Sequence, residues 1–251
     1  MESKLKLEER RQKILDILHQ NRKVSVAAIS RELGTTPVTI RSDLTALEQE
    51  GHLIRVQGGA VLPPRNKGNQ AAPIISHIEE KKRIASTVAG MIQDGDTLFI
   101  NSGTTTEYVA TALEMRTNLN IVTNSLAVAT ILGEIPSFRV ILVGGEINAQ
   151  YGFTYGGDAL SQLEKYKANL AILSVDGIST SCGLTTRHAE EAMVDRLMIA
   201  NATNTWIVAD HTKIERAGFA RVRDDLEGIT VVTDSNNTDE LSSAGMTIIN
   251  V

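Results

Sequence analysis

The chain has 251 residues, of which 42% are hydrophobic, a single cysteine and a formal net charge of −5. That length and apolar content suffice for one ordinary core plus a small second one, and the lone Cys182 excludes an internal disulfide framework. No apolar run is long enough to span a bilayer, and the charged start is not followed by a signal-peptide apolar region, so a soluble, cytoplasmic protein is expected.

Charge is unevenly spread. Residues 1–67 hold 12 Lys and Arg against 8 Asp and Glu, a balance of +4, whereas the rest holds 13 against 22, a balance of −9. Such asymmetry points to a polyanion-binding head on an acidic body. Three helical patterns precede residue 51, with apolar stripes Ile14, Ile17 and Leu18, then Val26, Ile29 and Leu33, then Ile40, Leu44 and Leu47. Between the second and third stands Gly34-Thr35-Thr36-Pro37, in which glycine permits a turn, Thr36 suits a helix cap and Pro37 a first helical position. This is the punctuation of a helix-turn-helix.

The third helix presents Val38, Arg41, Ser42 and Thr45 opposite its apolar stripe, with Thr39 on the flank. A small, polar, singly cationic face of this kind fits a major groove, although a solvated helix face would have the same pattern. The next segment favours the groove. Residues 52–57 read as a strand, Gly58-Gly59 as a tight turn and residues 60–62 as a returning strand, which makes a β-wing that carries Arg55 and Gln57 toward the sugar-phosphate backbone. The candidate DNA contacts are therefore Thr35, Thr36, Thr39, Arg41, Ser42, Thr45, Arg55 and Gln57.

Residues 63–73 are rich in proline, glycine and polar side chains and read as a linker. Beyond it, short Val- and Ile-rich runs recur at 97–101, 120–124, 139–143, 170–175, 205–209, 229–232 and 246–251, with helical segments between them. The alternation predicts an α/β body with a mostly parallel sheet covered on both faces.

Ligands in such sheets sit where strands end and helices begin. After the first run comes Ser102-Gly103-Thr104-Thr105-Thr106 at the start of a helical pattern, an arrangement that offers backbone N–H groups, hydroxyls and the positive end of a helix dipole to a phosphate. Its spacing is neither a dinucleotide fingerprint nor a P-loop. Other strand ends add Asn124, Gly144 and Gly145, Asp176 and Gly177, and the segment Asp210 to Lys213. Glu191 and Arg196 lie on a helix expected to start near Ala189. Each also has a structural role open to it: Asn124 as a helix cap, Gly144-Gly145 as a turn, Asp176 closing a loop, Lys213 on the surface, Glu191 and Arg196 pairing with neighbours. Their convergence on one sheet edge is what favours a site. No metal or cofactor is expected, because His19, His52, His77, His188 and His211 show no ligand spacing with one another or with Cys182.

The amino-terminal stretch resembles the winged helix-turn-helix of DeoR-type bacterial transcription regulators, with their TIRRDL-like helix and RVHGGA-like wing. It carries Thr39-Ile40-Arg41-Ser42-Asp43-Leu44, Leu47-Glu48, Gly51 and Arg55-Val56-Gln57-Gly58-Gly59-Ala60. Ser42 stands where the pattern has a second arginine, and Gln57 where it has a histidine. The body resembles the DeoR-type sensor domain, related in fold to ribose-phosphate isomerase, through DGDTLFINSGTTT, IVTNSL, VILVGGEI, LSVDGIS, GLTTRHAEEAMVDRLM and IVADHTKI. The resemblance implies a winged helix-turn-helix over residues 1–62, a linker over 63–73 and a phosphosugar-binding sensor over 74–251. It also implies a repressor of a carbohydrate-utilisation operon that acts on double-stranded operator DNA as at least a dimer and is released by a phosphorylated sugar. The rival is a sugar-phosphate isomerase with an appended head. Against it, Ser179 replaces the second aspartate of the isomerase pattern, Ser181-Cys182-Gly183 lacks its lysine, His188 follows Arg187 in place of glutamate, and only Asp176 and Lys213 remain. No enzymatic activity is expected.

Overall fold

The computed structural model describes residues 7–21, 23–49, 53–56, 58–61 and 77–251. Gly51, His52, Gln57 and the expected linker lie outside the described residues. The chain divides into two compact units between residues 74 and 75.

In the first unit the order is α1 (Leu7–Asn21), β1 (Lys23–Ser25), α2 (Val26–Glu32), α3 (Pro37–Gln49), β2 (Ile54–Val56) and β3 (Gly59–Val61). The three apolar stripes meet: Ile14, Leu18, Val26, Ile29, Ile40, Leu44 and Leu47 form one core, with Ile17 and Leu33 packed against it. The starts of α2 and α3 are chemically explained. Ser25 Oγ accepts the Ala28 N–H at 3.1 Å, and Thr36 Oγ1 accepts the Thr39 N–H at 3.2 Å, so two otherwise orphaned donors are satisfied. Gly34, at φ 60°, supplies the left-handed turn between α2 and α3. The wing is present, and β1 adds a third strand to it, Val24 pairing with Ala60 in the order β1-β3-β2.

The second unit runs α4 (Ile78–Met91), β4 (Thr97–Ile100), α5 (Thr104–Ala112), β5 (Asn120–Thr123), α6 (Leu126–Gly133), β6 (Arg139–Leu142), β7 (Glu146–Asn148), β8 (Phe153–Tyr155) and α7 (Gly157–Leu163). It continues through β9 (Ala168–Leu173), β10 (Gly177–Ser179), β11 (Gly183–Thr186), α8 (Ala189–Ala200), β12 (Ala202–Val208), β13 (Ala220–Arg223), β14 (Thr230–Thr233), α9 (Asp239–Ser243) and β15 (Thr247–Asn250). All seven apolar runs of the sequence lie in one sheet of order β15-β14-β12-β9-β4-β5-β6, and every neighbouring pair is parallel. Alternation along the strands splits the core in two. Phe99, Val122, Ala171, Leu173, Ile207 and Val231 pack on one face, against α7, α8 and α9. Leu98, Ile100, Ile121, Leu170, Ile172 and Val208 pack on the other, against α4, α5 and α6. Both faces are buried, which is why these strands read as continuous apolar runs.

Two small antiparallel sheets, β7-β8 and β10-β11-β13, complete the unit. The strand order fixes where a site can form. From β4 the chain steps outward to β5 and β6, then returns to place β9 on the other side of β4. The segments leaving β4 and β9 therefore diverge at the point where the strand order reverses, and a crevice opens there in sheets of this kind.

Candidate functional site

The two adjacent strand ends are stitched together by one buried side chain. Asn101 Nδ2 donates to the Ser174 carbonyl at 3.0 Å, and the Ser174 N–H donates back to Asn101 Oδ1 at 2.9 Å. Gly103, the cap residue of α5, crosses close above this joint at φ 151°. A Cβ there would stand 2.7 Å from Ser174 Cβ and 2.8 Å from its Oγ, so only glycine fits.

The hydroxyls of this loop have different fates. Thr106 is fully buried, and its Oγ1 donates to the carbonyls of Gly103 at 2.8 Å and Asn101 at 3.0 Å, bracing the loop from below. Ser102 Oγ donates to Glu191 Oε1 at 2.7 Å, and Thr105 is buried. Thr104, first residue of α5, is partly exposed.

Beneath the loop, α8 contributes two carboxylates one turn apart. Glu191 takes Ser102 on one oxygen and Thr186 Oγ1, at 2.6 Å, on the other. Asp195 is wholly buried; Asn101 Nδ2 reaches its Oδ1 at 2.9 Å, and its Oδ2 has no hydrogen-bond partner. Burial pushes the Glu191 carboxyl up against the lowering effect of its two hydroxyl partners. Burial, and then the nearby Glu191, push Asp195 well above the ordinary carboxylate range. Asp195 and Asn101 belong to this candidate site by their bonds and are missing from the residues expected from sequence. The spacing of Glu191 and Asp195 on one helix face is the signal that exposes the first.

Asp176 follows the end of β9. Its Oδ2 accepts the Arg187 N–H at 2.8 Å and Thr186 Oγ1 at 3.2 Å, and its Oδ1 lies 3.5 Å from Lys213 Nζ. Gly177 follows as the first residue of β10. Asn124 does not cap α6; Ser125 does, with its Oγ accepting the Val128 N–H at 3.2 Å. Asn124 is instead buried, donating to the Thr154 carbonyl at 3.2 Å while its own Oδ1 is left unpartnered. Gly144 and Gly145 carry the chain from β6 to β7, the former donating to Gln162 Oε1 at 3.0 Å. Arg196 donates to the Val222 and Arg221 carbonyls, tying α8 to β13. Asp210 is buried beside Lys81 of α4 at 3.2 Å, and also accepts the Thr212 N–H at 3.0 Å. Burial works to raise its carboxyl, and the Thr212 hydroxyl and Lys81 ammonium outweigh that and hold it below the ordinary range. Among the described residues no cluster of three metal-ligating side chains occurs.

In the first unit Val38, Arg41 and Ser42 are exposed on α3, and Thr39 and Thr45 are half-buried. Thr36 and Thr39 hydroxyls bond to each other at 2.9 Å as part of the helix cap, and the Thr35 carbonyl accepts Ser30 Oγ. Arg55 is tied to α3 at two points: its N–H donates to Glu48 Oε1 at 2.7 Å and its guanidinium to Thr45 Oγ1 at 2.9 Å. Asp43, on the inner side of α3, is 2% exposed and held by Arg10 of α1 at 2.6 Å, with Arg11 at 3.6 Å. The predicted Gln57 contact lies outside the described residues.

Residues 10–66 match the DeoR-like helix-turn-helix domain, and residues 76–235 match the DeoR C terminal sensor domain. The chain belongs to the DeoR family. Among its DeoR-family relatives, the HTH-type transcriptional repressor GlcR of Bacillus subtilis is 32% identical over 90% of this chain and 88% of its own length. The glycerol-3-phosphate regulon repressor of Escherichia coli is 35% identical over 84% of each chain. A ribose 5-phosphate isomerase A from Methanocaldococcus jannaschii superposes with a TM-score of 0.39 at 12% identity over 53% of each chain. The α/β assignment of this DeoR-family chain rests on its own strand order and not on that likeness. No described helix is long and apolar enough to cross a membrane.

Proposed function

We propose that the chain is a transcriptional repressor of a carbohydrate-utilisation operon that binds operator DNA through α3 and the wing, and that a phosphorylated sugar bound at the β4–α5 loop releases it. Residues 1–62 are the DNA-binding domain, 63–73 the linker and 74–251 the sensor, a division that the break between compact units at 74 and 75 supports. The observation that carries the sensor reading is the Gly103 crossing at the strand-order reversal. The first backbone N–H groups of α5 follow directly on it, at the end of the helix where the dipole favours an anion. Gly103, Thr104 and Thr105 would meet the phosphate, with Ser102 and Thr106 shaping the loop. Asn124, Gly144, Gly145, Asp176, Gly177, Glu191 and Lys213 line the sugar side. The upward shifts of the Glu191 and Asp195 carboxyls suit this role, since they favour the uncharged forms and so lessen the repulsion of a phosphate.

The protein works without catalysis. Asp176 and Lys213 are engaged with each other, and Ser179, at the position of the missing aspartate, accepts the Cys182 N–H at 3.2 Å as a turn residue. The effector shifts DNA affinity only by binding two arrangements unequally, typically by about 1–3 kcal/mol. Helix-turn-helix heads read paired half-sites, so the working unit is a homo-oligomer.

The test combines duplex binding with a panel of pentose, hexose and triose phosphates. The wild-type protein should release its duplex with at least one of them, and a Thr104→Val/Thr105→Val variant should hold the duplex and ignore the same compound. Unaltered release in the variant would remove the loop from the proposal. Multiple turnovers of a sugar phosphate would replace the sensor with an isomerase.

A further inference from the structure

The exposed face of α3 carries one group that its fold does not use. Val38 is 73% exposed, and among the described residues of the first unit no other large hydrophobic side chain is so open to water. The core positions of α3 are filled by Ile40, Leu44 and Leu47, to which Val38 adds nothing. Nor does helix formation call for it, since a β-branched residue is a poorer helix former than alanine. Val38 is the second residue of α3, directly after Pro37, and the residues three and four positions on are Arg41 and Ser42, both exposed. The surface thus sets two valine methyls beside a guanidinium and a hydroxyl at the leading end of the helix, on a segment whose charge balance favours a polyanion.

We propose that Val38 is a specificity-determining residue that packs against the C5-methyl group of a thymine in the major groove while Arg41 and Ser42 engage the polar groups beside it. The amino-terminal residues of a helix lying in that groove face base edges, and the thymine methyl is the apolar feature displayed there. A cytosine or purine at the same position would leave the valine methyls without an apolar partner. The inference rests on the reading of α3 as the DNA-contacting helix and adds which base that helix selects.

The experiment uses the full chain and the duplex that it enriches from a randomised library, with each thymine then replaced singly by deoxyuridine. Removing one methyl from an apolar contact should weaken wild-type binding about four-fold at one thymine in each half-site. Val38→Ala, whose fold can be checked by an unchanged melting temperature, should bind the thymine and uracil duplexes equally. The inference is overturned if the wild type tolerates every uracil, or if Val38→Ala keeps the wild-type discrimination. Failure to enrich any duplex would instead strike the DNA-binding reading itself, and this inference with it.

Discussion

Gly103→Ala is the most demanding test of the sensor geometry, because two separate costs can be assigned to it. At φ 151° an alanine occupies backbone space that L side chains rarely adopt, and holding it there costs about 1–3 kcal/mol. Its Cβ also lies 2.7 Å from Ser174 Cβ and 2.8 Å from Ser174 Oγ, an overlap between two half-buried residues that costs about 1–3 kcal/mol. The combined loss, about 2–6 kcal/mol, is a large part of the stability of an ordinary domain. Trp206, the only tryptophan, sits in β12 and reports unfolding of this unit in urea. Ser174→Gly separates the two costs. It removes the overlap but leaves the backbone strain, so the double variant should recover about 1–3 kcal/mol relative to Gly103→Ala alone, measured as a coupling energy. A change of less than about 0.5 kcal/mol for Gly103→Ala, within the range of ordinary surface substitutions, or no rescue by Ser174→Gly, would refute the close crossing of Gly103 over Ser174.

Asp195→Asn tests the buried carboxylate by its pH signature. The raised folded-state value means that the native protein keeps a proton which the unfolded chain has already released, so the stability contributed by Asp195 is full at low pH and is lost as pH rises through the folded value. The amide variant should be more stable than the parent at pH 8, by about 1–3 kcal/mol, and the gain should shrink toward pH 4; a loss that does not vary with pH would refute it. Lys81→Met leaves the buried Asp210 without its ammonium partner and should cost about 3 kcal/mol in urea unfolding, whereas a loss below about 1 kcal/mol would show that the Thr212 contacts alone satisfy the carboxylate. Arg41→Ala should weaken binding to the selected duplex by about 1–3 kcal/mol more than to random DNA if the guanidinium reads a base. Equal loss on both duplexes would make it a backbone contact.

The seven parallel strands are readable in the sequence because strands buried on both faces leave uninterrupted apolar runs, as in Leu170 to Val175 or Thr230 to Val232. β7, β10 and β11 have no such run. They are three or four residues long and rich in Gly, Ser, Thr and Asn, so neither periodicity nor length separates them from loops. β1 is hidden for the same reason, its three residues standing directly against α2. In the site, the loop from Ser102 to Thr106 is legible because strand, glycine, hydroxyls and helix follow one another along the chain. The bonds that organise it are not. Asn101 meets Ser174 and Asp195 across 73 and 94 residues, contacts that exist only because β9 returns beside β4. Local sequence likewise offers Asn124 as a helix cap, and tertiary neighbours override it: Ser125 caps α6 while Asn124 bonds to the Thr154 carbonyl.

Arg55 is attached twice to α3, through Thr45 and Glu48, which links the second strand of the wing to the helix beside it. Main chain and guanidinium are both fastened to α3, so under the proposed DNA-binding role the strand and the helix would meet a duplex as one coupled surface. A coupled surface of that kind leaves part of the adjustment to the nucleic acid. Base pairs that no side chain touches then matter through how cheaply they let the groove widen or narrow to match, and stiff sequences are penalised even where every contacted base is correct.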